Sequence, residues 1–290
     1  MTPLSVRFWG TRGSIPAPGR STLKYGGNTS CVEVRFGDEV FIFDSGTGIR
    51  ELGLDLIKRA DGAAQRGHVF IGHTHWDHIQ GFPFFVPAYL PKNKYTIHSV
   101  KSIGESFETI FRRQMGINYF PVEVGDMSSQ LDFNHIDTSP FEIGDVKVKT
   151  SFTNHPGVNL AYRLDFEGSR SVVYLTDHEN HASFSGDSEL ARRQDRAIED
   201  FCRGADLVIV DSQYTEEEYE LKKGWGHSRW KDSVALGVAA EVKNLALFHH
   251  DPTRTDDALD AISSEAQKIA TAAGSSAKVF CAQESKEHVL

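Results

Sequence analysis

Hydrophobic and polar positions fall into short runs at the start of the chain. β-Branched and aromatic residues bounded by Gly and Asp predict strands at 4–9, 31–36 and 40–43. The Gly- and Pro-containing stretch from Gly10 to Asn28 is long for a plain connector. Beyond it the period changes, and Ile49, Leu52, Leu56 and Ile57 recur at helical spacing within 47–60. A short apolar strand at 68–71 follows. A helical stretch near 82–89 is interrupted by Pro83 and Pro87, and a strand at 95–100 leads to a helix at 102–113. The middle is again strand-rich, at 130–136, 146–152, 160–166 and 171–175. The last third alternates helices at 188–202, 228–243 and 256–270 with strands at 207–210, 245–248 and 278–281. Two β-rich halves, each followed by helices, predict two sheets packed face to face with helices outside.

Composition narrows the class. With 290 residues, 39% hydrophobic and 24% charged, the chain can bury a large core and is not of disordered composition. No linker, repeat or low-complexity segment divides it, so one domain over 1–290 is expected. No apolar run approaches the roughly 20 residues of a membrane-spanning helix. The first ten residues lack the basic-then-apolar pattern of an export signal. Three widely spaced cysteines, Cys31, Cys202 and Cys281, make no disulfide framework, which fits a reducing cytoplasm. Acidic residues outnumber basic ones by 40 to 31, a net charge of −9, which argues against bulk nucleic acid as partner. The departure from ordinary usage is histidine, with 13 residues, several in tight clusters.

The densest cluster is His73-Thr74-His75-Trp76-Asp77-His78, directly after a predicted strand. Neutral imidazole and carboxylate are good ligands for zinc and similar ions. His73 and His75 alternate, so they can serve one ion only if the chain turns there. Asp77 and His78 would then be available to a second. Other ligand-type residues share the strand-end position: His155 after 146–152, Asp177 after 171–175, Asp211 after 207–210, and His249 or His250 after 245–248. Loops at strand ends carry functional groups on many scaffolds. Taken singly, each of these residues would more often be structural; their common placement favours metal ligation.

The pattern His73-x-His75-x-Asp77-His78, then His155, Asp177 and a late His249, resembles the metallo-β-lactamase superfamily across essentially the whole chain. The resemblance implies an α/β fold, a four-layer αββα sandwich with two metals at one edge of its sheets. It implies that His73, His75 and His155 hold the first ion, that Asp77, His78 and His249 hold the second, and that Asp177 bridges both. His249 is preferred to His250 because it directly follows the strand. The Asp44-Ser45-Gly46 turn matches an early Asp-x-Gly loop of the family, in which Asp44 would orient a ligand histidine or merely cap a glycine-rich turn. Zinc is the expected metal, with manganese or iron as alternatives.

Gly226-His227-Ser228-Arg229-Trp230, shortly after Asp211, resembles the ribonuclease Z and phosphonate-pathway phosphodiesterase branch. There a histidine before a helix acts on the scissile phosphate; otherwise His227 is a packed histidine and Ser228 a helix cap. The opening Phe8-Trp9-Gly10-Thr11-Arg12-Gly13 and Tyr25-Gly26-Gly27-Asn28 also resemble that branch, making Arg12 and Asn28 candidate phosphate contacts, with a solvated loop as the alternative. The chain departs from ribonuclease Z in leaving no room for a tRNA-gripping arm between His155 and Asp177. Its extra segment lies earlier, at about 92–130, and holds Phe107, Phe111, Met115, Tyr119 and Phe120, readable as core, dimer contact or lid. The resemblance thus implies a two-metal phosphodiesterase for a small or cyclic phosphodiester, using a metal-bridging hydroxide, with Asp77 and His227 as catalytic residues and a homodimer as possible assembly. A thioester or lactone hydrolase on the same metals, or a non-catalytic nucleotide sensor, are the alternatives.

Overall fold

A computed structural model of the chain describes residues 2–100, 105–137 and 139–290. They form two compact units. One takes the residues up to Pro18 with Gly26–Asp137 and Gln283–Leu290; the other takes Gly19–Tyr25 and residues up to Ala282 from the far side of position 138.

The first unit is built on a seven-stranded mixed sheet. Strands β1 (Leu4–Gly10), β2 (Cys31–Phe36) and β3 (Glu39–Phe43) pair antiparallel. From β3 the sheet continues in parallel through β4 (Arg66–Phe70), β5 (Lys94–Val100) and β6 (Gln130–Ile136). The C-terminal strand Glu287–Val289 flanks β1. The central strands are buried on both faces, which is why Phe41-Ile42-Phe43 and Val69-Phe70-Ile71 read as unbroken apolar runs. On one face Ile42, Val69 and Ile97 pack with Ile49, Leu52 and Leu56 of helix α1 (Ile49–Ala60). On the other, Phe70 stacks on Phe41 and Phe43, at ring-centroid distances of 6.4 and 5.4 Å. A short helix α2 (Trp76–Ile79) follows β4. The helical stretch expected near 82–89 is instead two 3₁₀ turns, Phe82–Phe84 and Val86–Tyr89, each with a proline at its start. Proline lacks the N–H that a longer helix would need there. Helix α3 (Phe107–Arg113) begins at a Ser106 cap, and the earlier part of the expected helix, 102–104, lies outside the described residues. Phe107, Phe111 and Met115 join the core, whereas Tyr119 is exposed.

The second unit has its own seven-stranded mixed sheet. Strands β7 (Phe141–Ile143), β8 (Val146–Phe152), β9 (Leu160–Phe166) and β10 (Arg170–Leu175) form an antiparallel meander. Two short helices, α4 (His181–Ser185) and α6 (Glu216–Lys222), and the longer α5 (Glu189–Cys202) lie among the later strands. Parallel pairing runs from β10 through β11 (Leu207–Asp211) and β12 (Asn244–Phe248) to β13 (Lys278–Cys281). Ile198 and Cys202 of α5, Val234 of α7 (Trp230–Ala239) and Leu259 and Ala266 of α8 (Asp256–Ala272) pack on Val173, Val208, Val210, Leu245 and Leu247. Helix α7 is shorter than the expected 228–243. At its start, Arg229 bridges to Tyr214 in extended conformation; beyond its end, Glu241 turns left-handed at φ 53°. α4, α6, β7 and the last strand escape pattern reading because each spans at most two helical turns or three strand residues.

Strand direction positions the candidate residues. β3 and β4 are parallel, so Asp44 and the His73–His78 segment leave the same edge of the first sheet. β8 and β10 are both antiparallel to β9 and hence parallel to each other. With β11 and β12 they deliver His155, Asp177, Asp211 and His249 to one edge of the second sheet. That is the edge where open sheets with parallel strands bind ligands.

Candidate metal centre

In the first unit the chain turns sharply after β4, as alternate histidines require. The ring of His73 lies 4.3 Å from that of His75 and 4.4 Å from that of His78. His75 immediately precedes α2, and Asp77 and His78 sit in its single turn. His78 Nε2 and Asp77 Oδ2 are 3.2 Å apart. Asp44, just beyond β3 at φ 58°, is wholly buried and uses both carboxylate oxygens. Oδ2 accepts the Nδ1–H of His78 at 2.7 Å, and Oδ1 accepts the backbone N–H of Gly72 at 3.0 Å. With Nδ1 donating, the lone pair of His78 is on Nε2, the tautomer a metal ligand needs. The turn is held by close backbone contact: a Cβ on Gly81 would lie 2.0 Å from the carbonyl oxygen of Gly46, so no side chain fits there. Ser14, in the long 10–28 loop, donates its backbone N–H to Asp77 Oδ2 at 2.7 Å, which gives that loop a task at the cluster.

In the second unit one ligand-type atom from each of Asp177, Asp211, His227 and His249 lies within 4.8 Å of the others. All four residues are buried. Asp177 and His249 occur at strand ends with φ of 52° and 60°, the left-handed region that non-glycine residues seldom occupy. Such conformations cluster at functional sites, where the surroundings hold them. His249 Nε2 is 3.3 Å from Asp177 Oδ1, and His155 Nε2 is 3.8 Å from Asp177 Oδ2. Again Nδ1 is occupied by an acceptor: His155 donates to the Gly226 carbonyl at 3.0 Å, His249 to Gln213 Oε1 at 3.1 Å, and His227 to Asp211 Oδ2 at 2.7 Å. The His227 ring stacks on that of His249 at 4.9 Å and 18°. This donor set, imidazole Nε2 atoms and carboxylates with each outer nitrogen fixed, fits divalent ions of the zinc type.

Neighbouring histidines differ in the same detail. His250 Nε2–H donates to the Ala282 carbonyl at 2.9 Å, whereas His249 turns its Nε2 to Asp177. His178 accepts the Asn154 backbone N–H on Nδ1 at 3.1 Å, and burial holds its pKa down to about 4. Arg12 and Asn28, the candidate phosphate contacts, are engaged in holding their loop. Arg12 is wholly buried and donates Nε–H to the Gly26 carbonyl at 2.8 Å. Asn28 gives two N–H groups to Glu284 at 2.6 and 3.0 Å and accepts the Thr47 hydroxyl at 3.1 Å. Burial nonetheless pushes the Glu284 carboxyl up to about 7.

Three supporting residues escape sequence reading. Gln213 orients His249, and the Gly226 carbonyl orients His155. Buried Glu179 accepts the backbone N–H groups of Gly224 and Gly226, shaping the loop before His227. An acidic residue two positions after Asp177 is the sequence signal for Glu179; Gln213 and Gly226 stand beside the Asp211 and His227 candidates, but nothing local shows that they reach His249 and His155.

Residues 40–250 match the family model described as Beta-lactamase superfamily domain. The chain belongs to this family. Ribonuclease Z of Thermoplasma acidophilum is 23% identical over 291 aligned positions, covering 87% of this chain and 88% of its own. Among solved structures, the metallo-β-lactamase fold protein YhfI from Bacillus subtilis superposes with a TM-score of 0.69 at 18% identity over the full length of both chains. A diphosphatase from the PhnP family gives 0.68 at 15% identity, covering 99% of this chain and 97% of its own. The structural likenesses show the fold, α/β with two mixed sheets flanked by helices, of the metallo-β-lactamase type. This metallo-β-lactamase-fold hydrolase is related to ribonuclease Z, and its His/Asp clusters have the chemistry to bind metal. No helix among the described residues is long and apolar enough to cross a membrane.

Proposed function

We propose that this hydrolase is a dinuclear phosphodiesterase acting on a small or cyclic phosphodiester, with both units contributing to one catalytic domain over 1–290. In this reading His73, His75 and His155 hold one ion, Asp77, His78 and His249 hold the other, and Asp177 serves both. The ions, zinc in the first instance, when bound supply an acidified water and positive charge against the phosphate oxygens. The observation that carries the reading is the buried His227–Asp211 pair stacked beside His249. Asp211 takes the Nδ1–H and fixes the ring, so Nε2 is the atom left for substrate. From there His227 donates a hydrogen bond to phosphate or a proton to the departing alkoxide. Asp77 holds its ion and, through the Ser14 N–H, keeps the 10–28 loop against the cluster. The three buried, unbridged cysteines are consistent with a cytoplasmic setting.

The test is hydrolysis of bis(p-nitrophenyl) phosphate by protein reloaded with zinc or manganese, with p-nitrophenyl phosphate and a thioester as comparison substrates. Diester turnover that depends on metal, together with loss of one ion per chain in Asp77→Ala, is expected. Thioester turnover without diester turnover would replace this reading with a thioester hydrolase on the same metals. Unchanged metal content in Asp77→Ala would overturn the ligand assignment.

A further inference from the structure

The first unit contains a groove of 510 Å³ that the proposed chemistry does not use. It opens beside α2: Thr74 and Trp76, which alternate with His73, His75 and Asp77 along the chain, line its near end. Its far end is made by α3 and by the residues after it, within the 92–130 segment. We propose that this groove binds the aromatic base of a nucleotide-type phosphodiester, an inference that rests on the phosphodiesterase reading.

Large rings are normally hidden, yet Trp76, Tyr119 and Phe84 are 81, 79 and 51% exposed, and all three line this groove. Exposed apolar rings gathered on one concavity mark a binding site, and the volume is that of a small-molecule pocket. Rings favour a flat partner, since every base offers a π-face for stacking. Phe84 is braced edge-to-face by Phe120 at 5.3 Å, which keeps its ring upright on the wall. A polar signal distinguishes a heteroaromatic base from an aliphatic acyl chain. The amide nitrogen of Gln114 is buried in the groove lining and meets no acceptor among the described residues. A donor buried without an acceptor is costly, and a ring nitrogen or carbonyl on a base edge would satisfy it. Charge gives the phosphate no unshared cation in the same place. Arg113, the cation on the lining, is committed to Glu105 through two bonds of 3.0 and 2.7 Å. A neutral flat group therefore suits the groove, and the phosphate is left to the histidine cluster next to it.

The experiment uses the metal-loaded full chain and two readouts. The first is quenching of Trp76 fluorescence by adenosine and by uridine, which carry no phosphate, with Trp76→Phe to identify the signal among the four tryptophans. The second is KM and kcat for adenosine 2′,3′-cyclic phosphate against glycerol 1,2-cyclic phosphate, which lacks a base. Saturable quenching is expected. Tyr119→Ala and Gln114→Ala should each raise KM for the adenosine substrate at least about five-fold, the low end for a lost base–aromatic stack. Turnover of the glycerol substrate should stay within about two-fold in both variants. Equal effects on the two substrates, or none on either, would overturn the base site while leaving the phosphodiesterase reading intact. Quenching that persists in a chain hydrolysing no diester would keep the base site and remove the phosphodiesterase. Absence of both removes both.

Discussion

His227 Nδ1 lies 2.7 Å from Asp211 Oδ2, and Asp211 is wholly buried. The other oxygen of Asp211 accepts the backbone N–H groups of Ser228 and Gln213, at 3.1 and 3.2 Å. The carboxylate therefore fixes both the ring of His227 and the backbone that carries it. We expect His227→Ala to retain its full metal complement and lose about 10²–10⁴-fold in kcat, the usual weight of a general acid. Metal analysis and kcat measured on the same preparation check this. Normal turnover would remove His227 from the reaction.

Asp44→Asn tests the support beneath His78. Asparagine tolerates the left-handed conformation at φ 58°, so the turn should survive. Its amide, however, has one acceptor oxygen where the carboxylate serves two donors, His78 Nδ1–H and Gly72 N–H. Metal affinity should fall by about 10–100-fold, as for other outer partners of ligand histidines. Competition with a chromophoric chelator measures this, and circular dichroism should show an unchanged fold.

Gly226→Ala should damage the site from a distance. Gly226 has φ 88°, and a Cβ there would come within 2.2 Å of His155 Nδ1, the atom that its own carbonyl orients. Strain and displacement of His155 should reduce the metal content to below that of the parent chain. Gly224→Ala is the control, because it shares the left-handed conformation at φ 86° but its Cβ would touch only Phe184, at 3.5 Å. Equal metal loss in both variants would point to backbone strain alone.

A pH effect on stability is expected away from the histidine cluster. His98 is buried and has a pKa lowered to about 3 by burial first and by His68 second. Its Nδ1 accepts the Asn134 amide N–H at 2.9 Å, and Nε2 meets His68 Nδ1 at 2.9 Å. The unfolded chain takes up this proton near 6.5 and the folded chain does not until about 3. Between these values the unfolded state holds more protons, so stability is present above 6.5 and lost as pH falls through that window. The urea midpoint should drop between pH 7 and pH 5, and less steeply in His98→Gln, which has no titrating ring. An identical slope in the variant would assign the effect to other groups.

Residue types and strand-end positions were legible because metal chemistry draws on few side chains and strand patterns are local. His73, His75, Asp77 and His78 needed no tertiary information to stand out, nor did the strand-end placing of Asp177 and His249. The short helix Trp76–Ile79, by contrast, leaves no mark in the pattern, because one turn has no periodicity to detect. Spacing leaves the extra segment open between core, dimer contact and lid; Phe107 and Phe111 are core, Phe120 both packs against that core and lines a groove, and Tyr119 lines the groove while exposed, a division that spacing alone does not make.

By itself the chain's sequence determined which side chains are available and at which strand ends they emerge, since both follow from composition and from patterns a few residues long. Only the tertiary structure decided which nitrogen of each histidine is tied down. Gln213 reaches His249 across 36 positions, the Gly226 carbonyl reaches His155 across 71, and Asp44 reaches His78 across 34. Such partners are chosen by strand order and loop path, so local patterns say nothing of them. They set the tautomer: Nδ1 donates in His249, whose Nε2 faces Asp177, whereas Nε2 donates to the Ala282 carbonyl in its neighbour His250.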